Sequence, residues 1–242
     1  MTLRLEEVLA AVRARVDHLW ASCEDPLLHA EPGWHDCDAI GPEELAAAID
    51  EGTPHTAGDR AVAASLLVQS YAYRVAAVSL AAFALGLPWP SPAATATSVR
   101  LSDGRAKALR FRSRTLGEAG DARGIAEAAF ASHLVGFVVR ARTSQRLGER
   151  LAWANVAASC AAAFRAVEGS ARDRGDPGEG AAIRRRAEQL LTHAPWLAGT
   201  GWFDTHGTDW SWQRSACCLW YRTSGGRTCE GCSLGLHREA HT

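Results

Sequence analysis

Lysine is almost missing from this chain of 242 residues: Lys107 is alone among 26 basic side chains, the other 25 being arginine. With abundant alanine, that bias reads as the codon usage of a GC-rich genome rather than as a functional signal. An excess of charge is missing too. The 27 acidic residues leave a net charge of −1, so the basic footprint of a nucleic-acid binder is absent. No phosphate loop, dinucleotide fingerprint or Ser-His-Asp arrangement stands in the sequence. The most apolar run, Val75 to Leu87, is about half to two-thirds of the ~20 residues a membrane span needs. It lies between Arg74 and Pro88 and reads as a core helix. The first residues, Met1 to Glu7, are charged and lead directly into an amphipathic pattern, unlike a secretory signal. The expectation is a cytoplasmic protein whose cysteines are reduced thiols or metal ligands, not disulfides.

What is present is a globular composition, 47% hydrophobic, able to bury a sizeable core. Leu5, Val8, Leu9, Val12, Val16 and Leu19 recur at helical spacing and predict an amphipathic helix over 3–20. Trp20 to Ile40, with Pro26, Pro32 and Gly33, reads as an irregular loop. Its Cys23, His29, His35 and Cys37 match no common zinc spacing. A short helix is predicted from Pro42 to Glu51, and a long one from Ala57 to Leu87 that runs through the middle of a bundle. On the long helix, Tyr71, Tyr73 and Arg74 read as aromatic packing plus a surface arginine, with a pocket as the alternative.

After a linker from Pro90 to Thr95, residues 97–111 alternate around Asp103-Gly104, a β-hairpin signal. Basic residues stud this stretch (Arg100, Arg105, Lys107, Arg110, Arg112, Arg114). They read as a solvated face, with an acidic partner or anionic ligand as the alternative. Helices follow over 122–143 and 145–168. Gly169 to Gly180 reads as a flexible polar loop, and Ala181 to His193 as the last helix. The predicted architecture is mainly α: a helical bundle over 1–195 with one hairpin, then a small irregular segment over 196–242. That segment holds Trp196, Trp202, Trp210, Trp212 and Trp220, five of the nine tryptophans.

The terminal segment also holds four of the seven cysteines, Cys217, Cys218, Cys229 and Cys232, spaced C-C-x10-C-x2-C. In Cys229-Glu230-Gly231-Cys232 a tight turn can aim both thiolates at one centre. Ser224-Gly225-Gly226 lets the connector double back. Adjacent Cys217 and Cys218 need a kinked backbone, or must reach different atoms of a cofactor, because neighbours in a strand point to opposite faces. A two-iron cluster offers two atoms and a single zinc ion offers one. Structural zinc sites usually space both halves as C-x2-4-C. The pattern favours a cluster and leaves zinc open.

These cysteines, with Arg214 before them and Trp220-Tyr221-Arg222 after, resemble the ferric siderophore reductase (FhuF-like) family. The likeness covers the last fifth of the chain. Upstream, Trp153-Ala154-Asn155 followed by small residues is similar to a Trp-x-Asn helix segment of the family's larger domain. The resemblance implies one [2Fe–2S] cluster on Cys217, Cys218, Cys229 and Cys232, and no catalytic residue beyond it. It implies one-electron reduction of a ferric siderophore, with ferrous iron released. Arg214, Arg222, Arg227, Trp153 and Asn155 become cluster-tuning or substrate-facing residues. Without a nicotinamide or flavin motif, electrons come from an external donor, a ferredoxin or flavin reductase. The alternatives are an iron–sulfur electron carrier or sensor without substrate, and a structural zinc module.

Overall fold

The computed structural model describes residues 3–19, 21–23, 33–205, 210–229 and 231–234. In chain order it begins with α1 (Leu5–Arg15), β1 (Ser22–Cys23), β2 (Trp34–Asp36), α2 (Pro42–Gly52) and α3 (Arg60–Ala84). β3 (Trp89–Pro90), β4 (Thr97–Ser102), β5 (Arg105–Phe111) and β6 (Leu116–Gly117) follow. Next are α4 (Ala122–Ala126), α5 (Val135–Ser144), α6 (Glu149–Asp173) and α7 (Pro177–His193). The chain closes with β7 (Gly201–Asp204) and β8 (Ser211–Arg214). The fold is mainly α, with one small four-stranded sheet and two two-stranded pairs.

α3 is the axis of the bundle. Of its 25 residues, 19 are buried, so it is apolar on nearly all sides because protein surrounds nearly all sides. It passes the length and hydropathy test for a membrane span, as does 122–144, but 78% of its apolar window is covered by protein. Asp59 caps it, with Oδ1 accepting from the amides of Ala61 and Val62 at 2.9 and 3.2 Å. α6 is its main partner. Ala152, Ala157 and Ala161 on α6, and Ala64, Ala72 and Ala76 on α3, are buried in the shared core. Such small side chains allow two long helices to approach closely.

The predicted hairpin is β4–β5. Asp103 and Gly104 have φ of 51° and 68°, the double left-handed turn that suits a two-residue connection. Three other stretches fold differently from their residue patterns. The loop expected over 20–40 contains strand: β2 pairs antiparallel with β4 and β1 parallel with β5, giving a sheet ordered β1-β5-β4-β2. The stabilising contact is the Trp34 ring, with the Arg110 guanidinium 4.0 Å from its centroid. The linker expected over 90–95 begins in β3, which pairs with β6. Gly117 leaves room there for the Trp89 ring, which would lie 2.1 Å from any Cβ.

The third difference is the polar loop expected over 169–180. α6 runs on to Asp173, Gly175 stops it at φ 72°, and Asp176 caps α7 with Pro177 in its first turn. Burial of Ala171 and the Glu168–Arg184 ion pair outweigh the weak helix propensity of this stretch.

Between α4 and α5 the helix continues through a π-helical stretch, Glu127–Leu134, which carries His133. His133 is buried. Its Nδ1 donates to the Pro92 carbonyl at 2.6 Å, and its Nε2 accepts from the Tyr71 hydroxyl at 2.8 Å. Tyr71 is stacked on Phe137, centroids 3.6 Å apart, so it belongs to the core rather than to a pocket. Burial is the main reason that the His133 pKa falls from 6.5 to about 4. The unfolded chain then binds more protons between those values. The stabilisation is complete above about pH 6.5 and is lost as pH falls towards 4. Between pH 7 and 4.5, His133 alone should lower the unfolding free energy by roughly 2–3 kcal/mol. Urea melts of the protein and of His133→Gln check this. A shallower slope in the variant is expected, and an identical slope contradicts the assignment.

Candidate metal centre

The cysteine segment is built on the β7–β8 hairpin. Gly201 pairs with Arg214 and Asp204 with Ser211. Aromatic rings knit the hairpin together, and Trp210 and Trp212 are buried in the core of the bundle. Phe203 stacks on Trp210 with centroids 4.0 Å apart and meets Trp212 edge-on at 4.9 Å. Trp196 stacks on Phe130 of the π-helical stretch. Trp202 and Trp220 remain exposed, at 51% and 40%.

Beyond β8 the backbone shows how two adjacent cysteines serve one site. Leu219 takes the left-handed conformation, φ 67°, which L side chains rarely adopt. The chain therefore kinks directly after the Cys pair. The Leu219 amide donates to Cys217 Sγ at 3.3 Å, and the Trp220 amide donates to Cys218. The connector returns through Gly225, and the Arg214 amide then donates to the Gly231 carbonyl at 2.9 Å, which seats the second pair against the strand. Gly231 has φ 66°, and a Cβ there would lie 1.9 Å from the Trp212 carbonyl oxygen. Only glycine fits.

The four thiols form two crosswise pairs. Cys218 Sγ and Cys229 Sγ are 3.7 Å apart, and Cys217 interacts with Cys232. Cys218 and Cys232 are buried, while Cys217 and Cys229 are half-buried. Among the described residues no three His, Cys, Asp or Glu side chains gather round one point. The Cys229 thiol donates to Cys218 and holds the Cys218 pKa well below a thiol's usual range, helped by the Trp220 amide and Arg214. The same bond pushes Cys229 up. Burial raises Cys217 to about 11.

Arg214 is 3% exposed. Its guanidinium donates to Asn155 Oδ1 and, at 3.3 Å, to the Ala216 carbonyl, both neutral acceptors. Among the described residues no carboxylate pairs with it. Sulfur is the titratable group in its field: the Arg214 charge acts to lower the pKa of both Cys218 and Cys229, and Cys218 is the one held low. Asn155, the one asparagine in the chain, is fully buried at the centre of this network. Its Nδ2 donates to the Ser65 carbonyl and hydroxyl, both at 2.8 Å. The Ser65 hydroxyl donates to the Cys218 carbonyl at 2.7 Å. One polar chain thus links α3, α6 and the cysteine segment.

The remaining predicted residues are placed differently. Arg222 pairs with Asp59 Oδ2 at 2.6 Å, so the carboxylate that caps α3 also ties down the segment. Arg227 is exposed. Trp153 borders a separate crevice with Trp196 and Thr200. Cys37 is buried in the core and His35 lies on β2, and they form no metal-holding group among the described residues; His29 lies outside those residues. Much of the basic hairpin is answered locally: Arg112 by Asp36 and Asp38, Arg114 by Glu6, Lys107 by Asp103. Ser65 and Asp59 were not singled out by pattern, although a serine within so apolar a helix is a visible signal.

The donor set suits a thiolate-bound metal centre. Tetrahedral metal–sulfur bonds of about 2.3 Å place two thiolates on one ion ~3.8 Å apart, close to the Cys218–Cys229 separation. The thiols also act on one another across the pairs, Cys217 with Cys218 and Cys229 with Cys232, so all four can serve one centre of one or two metal atoms. Ser215, two residues before Cys217, has a buried hydroxyl without a partner among the described residues, a spare donor beside the thiols.

Replacing Asn155 with Ala takes away the side-chain acceptor of Arg214 and the donor to Ser65, leaving Arg214 with the Ala216 carbonyl and the Ser65 hydroxyl with the Cys218 carbonyl. Buried donors and acceptors that lose a partner cost about 1–3 kcal/mol each. Asn155→Ala should lower stability by at least about 2 kcal/mol and raise amide exchange over 211–229, read by urea melts and hydrogen-exchange mass spectrometry. Unchanged exchange there contradicts the docking role.

No protein-family model, curated protein or solved structure matches this chain, so the functional reading rests on the residues and their geometry.

Proposed function

We propose that the chain is a ferric-siderophore reductase carrying a [2Fe–2S] cluster on Cys217, Cys218, Cys229 and Cys232. The observation that carries this reading is the buried, carboxylate-free Arg214 set against paired thiols. A guanidinium in the interior needs an anion, and a tetrathiolate cluster is a strong one. When bound, the cluster supplies storage for one electron.

The protein's residues do the rest. Arg214 places fixed positive charge beside the sulfurs, which favours the more negative, reduced form. The amides of Leu219 and Trp220 donate to sulfur and act in the same direction. Trp210 and Trp212 wall off the interior side, while half-buried Cys217 and Cys229 keep the site near the surface. With a cluster held by Cys217, Cys218, Cys229 and Cys232, one-electron reduction of a siderophore's ferric ion to ferrous would be available at this site. Hard oxygen donors hold the ferrous ion less tightly, so it exchanges to other ligands. The electron would come from an external donor, a ferredoxin or flavin reductase. No acid, base or nucleophile is required.

Dithionite-reduced protein mixed anaerobically with ferric siderophores tests the proposal. Reoxidation well above the buffer rate, with ferrous iron trapped by a chelator, is expected for at least one siderophore. Cys229→Ser and Cys232→Ser should lose both the visible absorption and the turnover. Normal ferrous release by these variants contradicts the proposal. A colourless protein that holds zinc points to the structural alternative.

A further inference from the structure

Beside the thiols lies a groove of about 330 Å3, lined by Gln69 and Tyr73 of α3, Arg105 of β5, Ser159 of α6, and Trp220. Trp220 joins groove and thiols, because it lines the one and its amide donates to Cys218. No Asp or Glu lines the groove. Arg105 is half-buried there, and among the described residues no carboxylate pairs with it. Burial by itself depresses its pKa, the mark of a cation held without a counter-charge. Arg74 stands just outside the lining, its guanidinium carbon 5.9 Å from the centroid of the Tyr73 ring, and among the described residues no carboxylate pairs with it. The Ser159 hydroxyl is occupied by the Gln69 backbone carbonyl, and Arg105 is the cationic donor of the lining.

We infer that this groove docks the ferric complex through an anionic aryl ring, which selects chelates that hold iron by aryl oxygens and carry net negative charge. This rests on the reductase reading above. Tyr73 and Trp220 offer flat apolar surface to a ring. Arg105 and Arg74 offer charge-assisted hydrogen bonds to aryl oxygens, strengthened by partial burial. The groove is at the small end of ligand sites, so it admits one ring of the chelate rather than the whole complex. A neutral hydroxamate chelate brings neither ring nor charge.

The test uses redox-inert gallium(III), which separates binding from turnover. Holoprotein is titrated with trianionic gallium tris-catecholate and with a neutral gallium trihydroxamate, read by tryptophan fluorescence and calorimetry. The catecholate should bind at least about ten-fold more tightly, and less tightly as salt is raised. Arg105→Gln should weaken it about ten-fold, Arg74→Gln should weaken it independently, and Trp220→Phe should remove part of the quench. Equal affinity for the neutral chelate, or unchanged affinity in Arg105→Gln, overturns the inference. The same two ligands, as ferric complexes, are then mixed with reduced holoprotein. If gallium tris-catecholate binds as stated but neither ferric complex reoxidises the protein, the groove stands and the reductase reading falls. If the neutral ferric complex reoxidises the protein and Arg105→Gln changes nothing, the reductase reading stands and the groove inference falls.

Discussion

A positive charge taken out of water must be met by a negative one. Arg214 is nearly sealed off from solvent, bonded to an amide oxygen and a backbone carbonyl, with sulfur as the anion in its field. That constraint orders the surroundings. Asn155 has to present its oxygen to the guanidinium, so its nitrogen turns to Ser65, and Ser65 turns to the Cys218 carbonyl. The cysteine segment is therefore positioned by a charge requirement at its centre and by aromatic packing round its edge. Neither alone would set the direction of the thiols.

The same economy explains why so large a helical body serves so small a site. The segment after α7 has one four-residue hairpin and little apolar core of its own. It borrows α3 and α6 as a floor, through the polar chain, the Trp210 and Trp212 contacts and the Asp59–Arg222 pair. Metal binding would add the stabilisation that a short, glycine-rich segment lacks. The bundle also contributes one wall of the groove at Trp220, so helices and terminal segment share one face.

Much of this was legible in the residues, for reasons that differ from place to place. The axis helix was plain because its apolar run has caps, stops and no competing period. The hairpin was plain because Asp-Gly between alternating residues has few other uses. Short strands such as β2 and β3 left no trace, since two or three residues carry no period and their pairing depends on distant partners. The segment at 169–180 misled because glycine and Asp-Pro signal a loop, while burial of Ala171 and the Glu168–Arg184 pair, invisible locally, extend both helices into it. Within the site, the thiols announced themselves by spacing. The three arginines near them looked equivalent, and contact alone distinguishes Arg214, against sulfur, from Arg222, against Asp59.

The central claim is that the crosswise thiol pairs hold two bridged irons rather than one metal ion. Its most direct measurement is iron, acid-labile sulfide and zinc per chain in anaerobically purified protein, with electron paramagnetic resonance before and after one-electron reduction. A bridged pair gives two irons and two sulfides per chain, silent when oxidised and carrying a single unpaired spin when reduced. One zinc per chain, with no sulfide and no spin signal, would contradict it.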